Sequence, residues 1–120
     1  NMGTEKTALL NALEEYARAK KKYGVTSAQA LKWMGTMLAL VPEELKEKIV
    51  DAGIRQGVLP KPDGYLADGT PVYSSRLIED FFRVSRDEIG HRIQILNEAR
   101  QSVGKEPLSF PDDTLVHKVQ

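Results

Sequence analysis

The stretch that decides the fold runs from Tyr73 to Leu96 and reads YSSRLIEDFFRVSRDEIGHRIQIL. Its first part has apolar residues at the spacing of one helix face, namely Leu77, Ile78, Phe81 and Phe82. A serine just before them, Ser74 or Ser75, can cap a helix because its hydroxyl accepts an orphan backbone N–H. The pattern therefore predicts a short helix that starts at one of these two serines.

A second helix is predicted to follow after a turn of three residues. Ser85 is followed three residues later by Glu88, which is the spacing of a capping box. The apolar stripe of this helix is then Ile89, Ile93 and Leu96, and Ala99 and Val103 continue it. We expect the helix to continue to Ser102 and to stop at Gly104, since glycine readily adopts the left-handed conformation that ends a helix.

The short helix, the three-residue turn and the capped second helix resemble the helix-turn-helix of DNA-binding proteins. The Val-Ser turn, followed by apolar residues at Ile89 and Ile93, fits the pattern of that family. Two residues depart from it: Glu79 stands where the family usually has a small alanine, and Arg83 stands where it usually has the turn glycine. An arginine there would cost about 1 kcal/mol if its φ were positive. An ordinary αα-hairpin without a role in DNA binding is the alternative interpretation.

The resemblance implies that the second helix is a recognition helix whose outward residues lie near its start. These residues would be Ser85, Arg86, Gly90, His91 and Gln94. Arginine can bond guanine and glutamine can bond adenine, and a glycine permits close approach to the groove. Arg83 and Arg92 would reach phosphates. The carboxylates of Asp87 and Glu88 argue against DNA binding, because they repel phosphate.

The composition is that of a soluble globular protein. The chain has 120 residues, of which 41% are hydrophobic and 28% charged, enough for one domain with one modest core. Its formal net charge of zero weakens the DNA interpretation, because phosphate binding normally uses a basic surplus. The sequence has no cysteine, no membrane-spanning apolar run and no secretory leader. We therefore expect a cytoplasmic protein without a membrane partner.

Residues that could carry catalysis are few. His91 and His117 are the two histidines, and no metal-binding motif surrounds either, so neither a metal site nor a cofactor is predicted. The glycines are scattered singly and form no phosphate loop. The serines at 74 and 75 have no base near them in the sequence, and capping explains them better. We predict that the protein is not an enzyme.

Three further helices are predicted in the first half of the chain. The first spans Thr4 to Tyr23, the second begins at Thr26, and the third extends from Pro42 to Gly57. Their inner faces are predicted to be Leu9, Leu13, Tyr16 and Ala17, with Leu10 beside them; Ala30, Leu31, Met34, Leu38 and Val41; and Leu45, Ile49, Ala52 and Ile54. The second helix has a wider apolar surface, and its additional residues either join the core or form a dimer face: Trp33, Met37 and Leu40.

The segment from Val58 to Tyr73 lacks a helical period. Asp68-Gly69 is a strong turn signal between two short apolar arms, so a small β-hairpin or wing-like loop is predicted. Pro71 limits the second arm to an edge strand or a very short one. The tail after Gly104 carries five large apolar residues: Leu108, Phe110, Leu115, Val116 and Val119. It is too apolar for a plain disordered tail, so it is predicted either to lie across the core or to wrap around a second subunit.

Together these patterns predict an all-α protein with five helices in a single domain at residues 1–104. A short turn or β-hairpin precedes the helix-turn-helix-like pair at 74–102. A C-terminal tail follows at 105–120. The favoured function is a small DNA-binding protein that acts as a homodimer on double-stranded DNA, as a transcriptional regulator or accessory factor. In general style it is similar to small proteins of phages and plasmids. The alternative is a helical protein-interaction or oligomerisation module that does not bind DNA.

Overall fold

A computed structural model describes residues 2–108, 110 and 117–118 of the chain. Most of these residues are helical, and three short strands accompany the helices. The elements are α1 (Met2–Tyr23), α2 (Ala28–Leu40), α3 (Glu43–Arg55), β1 (Gly64–Tyr65), β2 (Pro71–Val72), α4 (Ser75–Phe82), α5 (Arg86–Ser102) and β3 (His117–Lys118). The predictions of a mostly helical class and of five helices are confirmed for the described part of the chain.

The chain divides into two compact units. Unit 1 comprises Asn1–Glu47 and His91–Leu108, and unit 2 comprises Lys48–Gly90 and Ser109–Gln120. α1, α2 and most of α5 therefore belong to unit 1, whereas the sheet, α4 and the start of α5 belong to unit 2. The assignment of residues 1–104 to one domain and of residues 105–120 to a tail stays a prediction.

Serine side chains cap the starts of α2, α4 and α5. Ser74 and Ser85 each accept a hydrogen bond at 3.1 Å from the backbone N–H three residues later, as the sequence predicted. The prediction that Thr26 opens α2 is wrong by one residue, because Ser27 is the cap. The Ser27 hydroxyl accepts from the Ala30 N–H at 3.1 Å and donates to the Gly24 carbonyl at 2.7 Å, which fixes it at the turn after α1.

Unit 1 is packed on small side chains. Its most buried apolar residues are mainly alanines, from α1, α2 and α5: Ala12, Ala19, Ala30, Ala39 and Ala99. Gly35 of α2 marks a close approach to α5, since a Cβ there would lie 3.0 Å from Leu96 Cδ2 and 3.1 Å from Ala99 Cβ. Among the described residues, no large side chain is less than 2% exposed. Small residues thus set the distance between these helices.

The predicted inner faces are correct in part. Ala30, Leu31, Ile89 and Ala99 are buried, as expected. Several other residues of the predicted faces are exposed, and there the prediction is wrong: Leu10, Leu13, Ala17, Leu38, Leu45 and Ile49. In unit 1 the physical reason is that the helices meet along alanines and a glycine, so that bulkier side chains lie beside the contact line. Trp33, Met37 and Leu40 are half-buried.

A three-stranded antiparallel sheet lies in unit 2, in the order β2-β1-β3. β1 and β2 form the predicted hairpin, in which Gly64 pairs with Val72 and Tyr65 with Pro71. Its turn is closed by the Leu66 N–H, which donates to the Thr70 carbonyl at 2.9 Å. β2 is an edge strand, so Pro71 lies where its missing N–H is tolerated, as predicted.

The strand β3 was not predicted. It comes from the C-terminal segment, and it pairs with the other edge of β1: Tyr65 with His117, and Gly64 with Lys118. Of the predicted apolar tail, Leu108 and Phe110 are exposed. Leu115, Val116 and Val119 lie outside the described residues.

The start of α4 is tied to the segment before the hairpin by Asp63. Its carboxylate accepts hydrogen bonds from the Ser74 N–H at 2.9 Å and from the Ser74 hydroxyl at 2.5 Å. The same hydroxyl accepts from the Leu77 N–H, so the carboxylate orients the cap of α4. The hydroxyl hydrogen bond, assisted by the backbone one, holds the pKa of Asp63 below its usual value.

We expect an Asp63→Asn variant to lower the stability of unit 2 by about 1 kcal/mol at neutral pH, because a charge-assisted acceptor is lost. The pKa of Asp63 is lower in the folded state than in the unfolded state. The carboxylate therefore adds its full share to the free energy of unfolding above the ordinary aspartate pKa of about 3.9. This stabilisation is lost as the pH falls through the folded-state pKa. Urea unfolding, followed by circular dichroism at neutral and acid pH, measures both effects. If the free energies of unfolding of the wild type and the variant differ by the same amount at both pH values, the Asp63 carboxylate does not stabilise the fold through its charge.

Candidate nucleic-acid interface

The turn between α4 and α5 is made by an arginine in the left-handed conformation. Arg83 has φ 55° and ψ 49°, and its N–H donates to the Glu79 carbonyl. The next N–H, that of Val84, donates to the same carbonyl at 3.2 Å. Among the described residues, Arg83 is the one non-glycine residue with positive φ. Arg83 therefore has the positive φ that the sequence left open, and its side chain is exposed.

The second arginine of the site lies at the start of α5. Ser85 caps this helix, so Arg86 is its first helical residue, and its side chain is 75% exposed. The Arg86 Nη2 atom lies 3.5 Å from the Glu79 Oε2 atom of α4. An exposed ion pair of this kind contributes about 0 to 1 kcal/mol, so Arg86 can exchange it for another anion with little loss.

Carboxylates lie among these arginines. Asp80 and Asp87 are exposed, and Asp87 and Glu88 occupy the first turn of α5, where negative charge suits the helix dipole. The Glu88 backbone N–H is bound by the Ser85 hydroxyl, which is one half of the predicted capping box. The turn therefore presents two arginines in a neighbourhood that has no net positive charge.

The site residues predicted from the sequence are mostly exposed. Arg83, Ser85, Arg86, Gly90, His91 and Gln94 all face solvent, whereas Arg92 is half-buried. No atom lies within 4 Å of where a Cβ at Gly90 would stand, so packing does not require a glycine there. The residues from Arg83 to Gly90 belong to unit 2, and His91, Arg92 and Gln94 belong to unit 1. The turn and the start of α5 therefore form a candidate interface within unit 2.

Two contacts of this region were not apparent from the sequence. Glu79 was noted only because it replaces a small residue, yet its carboxylate is the partner of Arg86. The two residues lie on different helices on either side of a turn, so no helical spacing relates them. Asp63 was likewise unassigned, although it binds the cap of α4 across the whole hairpin.

Metal-ligand clusters and membrane-spanning helices are absent from the described residues. No group of three or more histidine, cysteine, aspartate or glutamate side chains in this part of the chain could hold a metal ion. None of its helices has the length and apolar character that a membrane crossing requires. No protein-family model, curated protein or solved structure matches the chain.

Proposed function

We propose that this protein is a small DNA-binding protein of the helix-turn-helix type, acting as a transcriptional regulator or accessory factor. In this proposal the turn from Arg83 to Arg86 meets the phosphate backbone, and the exposed start of α5 faces base edges. One observation carries the proposal: two neighbouring exposed arginines occupy positions at which the local backbone favours other residues.

The first of these positions is the left-handed turn. A glycine adopts positive φ without steric penalty, whereas a residue with a Cβ pays about 1 kcal/mol. The Arg83 side chain is exposed, although its backbone has φ 55°. Strain that local packing does not explain is a feature of functional sites. A guanidinium held at the tip of such a turn can reach a phosphate. Phosphate binding would therefore explain why an arginine occupies a position at which a glycine is less strained.

The second position is the start of α5. The first turn of a helix carries partial positive charge, so a cation there is unfavourable by a few tenths of a kcal/mol. Arg86 nevertheless occupies it and is held by Glu79 at 3.5 Å. A DNA phosphate would be drawn to the same place by the helix dipole, by free backbone N–H groups and by the guanidinium. We infer that phosphate displaces Glu79 as the partner of Arg86.

The exposed residues that follow on α5 would then provide base contacts. Arg86 and Gly90, which both belong to unit 2, are four residues apart, so they lie on one side of the helix. The neighbouring carboxylates keep the non-specific attraction low, so one copy of the turn would bind weakly. Useful affinity would require either good base contacts or two copies on one duplex.

The test compares two substitutions that act in opposite directions on the same ion pair. We expect Arg86→Ala to weaken binding to mixed-sequence duplex DNA about tenfold, since a phosphate contact is lost. Glu79→Gln should strengthen binding about two- to fivefold, because the competing carboxylate becomes neutral. Fluorescence anisotropy with labelled duplex at low salt measures both effects.

An arginine of unit 1 provides the matched control. Arg18 is exposed on α1 and pairs with Glu15, so Arg18→Ala removes the same charge from an unrelated ion pair. Its affinity should equal that of the wild type. If Arg18→Ala and Arg86→Ala weaken binding equally, DNA responds to total charge and the turn is not the interface. If Glu79→Gln leaves the affinity unchanged, the proposed exchange of partners is wrong.

A protein-interaction module is the second candidate function, favoured by exposed aromatic residues in unit 2. The rings of Phe81 and Phe82 meet edge to face, with centroids 5.0 Å apart, and both side chains are more than a third exposed. Exposed apolar side chains grouped in this way often mark protein contacts. A chain that binds no DNA at low salt, but loses a protein partner when both phenylalanines are replaced by serine, would establish this second function.

A further inference from the structure

We propose that the outer face of α1 binds a second copy of this chain, with the two α1 helices crossing antiparallel about a two-fold axis at Leu10. This face comprises Gly3, Lys6, Leu10, Leu13, Glu14 and Ala17. The proposal concerns unit 1 alone, and it does not depend on the proposed DNA interface.

The face carries leucines that the fold of unit 1 leaves exposed. α1 packs within unit 1 through Ala12 and Ala19, which are 1% and 7% exposed. Leu10 and Leu13, in contrast, are 51% and 43% exposed. Leu10, Leu13 and Ala17 follow one another at steps of three and four residues, so they form a continuous stripe directed away from the alanine contact. An apolar stripe on the outside of a helix is a common feature of helix-helix interfaces.

The charges beside this stripe match those of a second, antiparallel copy. Lys6 and Glu14 lie four residues before and four residues after Leu10. When two such helices cross antiparallel at Leu10, each Lys6 comes level with Glu14 of the second copy, because both residues are about 6 Å along the axis from the crossing. Two-fold symmetry makes this ion pair twice. A parallel arrangement would instead bring each lysine to the other lysine.

These two charges are available for such pairing. The sequence suggested that Glu14 pairs with Arg18, but in the structure the Arg18 guanidinium binds Glu15. Within the described residues neither Lys6 nor Glu14 has an ion-pair partner. Among the described residues these opposite charges form no ion pair, and they are complementary to those of a second copy.

Small residues permit the helices to approach. The same antiparallel crossing brings Gly3 level with Ala17 of the second copy, and Thr7 level with Leu13. Neither a glycine nor an alanine keeps two helix backbones far apart. The pairing would also bury leucines in a protein whose described residues include no large side chain below 2% exposure. The complementary charges, the small residues and the exposed leucines of this face therefore all favour binding to a second copy of the chain.

The decisive experiment exchanges the two charges. We expect wild-type chain to form dimers in sedimentation velocity at concentrations up to about 100 µM. Lys6→Glu places two carboxylates together and Glu14→Lys places two lysines together, so each variant alone should dimerise at least about tenfold more weakly. An equimolar mixture of the two variants restores both opposite-charge contacts, and it should form a heterodimer as strong as the wild-type dimer.

Two control variants and three contrary outcomes complete the test. Lys48→Glu reverses an exposed charge on α3 and should dimerise like the wild type. Leu10→Glu should be a monomer with unchanged helical circular dichroism. A wild-type chain that is monomeric throughout the concentration range, or a mixture of the Lys6→Glu and Glu14→Lys variants that stays monomeric, would overturn the antiparallel α1 interface. So would dimers that all three α1 variants leave unaffected.

Discussion

Replacing Gly35 with leucine is expected to destabilise unit 1 by about 3 kcal/mol or more. The position has no room for a side chain, since even a Cβ would lie 3.0 Å from Leu96 and 3.1 Å from Ala99 on α5. A leucine there would force α2 and α5 apart and expose alanines that are now buried, such as Ala99. Thermal unfolding followed by circular dichroism measures the effect as a lowered midpoint.

Gly90 provides the matched control, because it is also a helical glycine. Nothing lies within 4 Å of a Cβ built there, and the residue is exposed. Gly90→Ala should therefore stabilise α5 by about 0.5 to 1 kcal/mol, which is the difference in helix propensity. An unchanged midpoint for Gly35→Leu would show that α2 and α5 do not approach closely at this position.

The second large effect is expected for the turn. Replacing Arg83 with glycine and Arg86 with alanine together should weaken DNA binding about 100-fold, since each arginine contributes about tenfold. The slope of log affinity against log salt concentration should fall by about 0.9 for each lost phosphate contact. The stability of the protein should nevertheless rise by about 1 kcal/mol, because glycine relieves the left-handed strain at residue 83.

This combination separates function from folding. A variant that is more stable and yet binds DNA far less well has lost an interface and not its fold. The control removes two exposed arginines elsewhere, Arg18 of α1 and Arg55 of α3, by substitution with alanine. Its affinity should remain near that of the wild type. A turn variant that keeps wild-type affinity would exclude Arg83 and Arg86 from DNA binding.

Much of the local structure was predictable, because it depends on residues that are close in sequence. Capping serines at 74 and 85, the hairpin turn at Asp68-Gly69 and the stop at Gly104 are all encoded within about four residues. The place of the turn at Arg83 was likewise predictable, whereas its positive φ was left open by the sequence and is given by the structure.

The packing was harder to predict, because it depends on which helices meet. Helical spacing marks leucines as inner residues, and Leu13 and Leu38 fit that pattern although both are exposed. The contacts instead use alanines and Gly35, whose small size allows close approach but gives a weak apolar signal. Strand β3 pairs with β1 from more than fifty residues away, and no local pattern specifies such a partner.

The candidate interface was predictable as a set of exposed residues, but its chemistry was not. Arg83, Arg86 and Gln94 are exposed, as expected for the outer face of a helix pair. The ion pair between Arg86 and Glu79 crosses a turn, so it follows from the geometry of α4 and α5 and from no sequence spacing. Because of that ion pair, replacing Arg86 should weaken DNA binding, whereas neutralising Glu79 should strengthen it.

The most direct measurement is the binding of the wild-type chain to mixed-sequence duplex DNA at about 50 and 200 mM salt. Our proposal predicts binding at the lower concentration that weakens at least about tenfold at the higher one, as expected when Arg83 and Arg86 each displace a counterion from a phosphate. Absence of binding at low salt, or binding that does not change with salt, would contradict the proposal that the turn between α4 and α5 is a DNA interface.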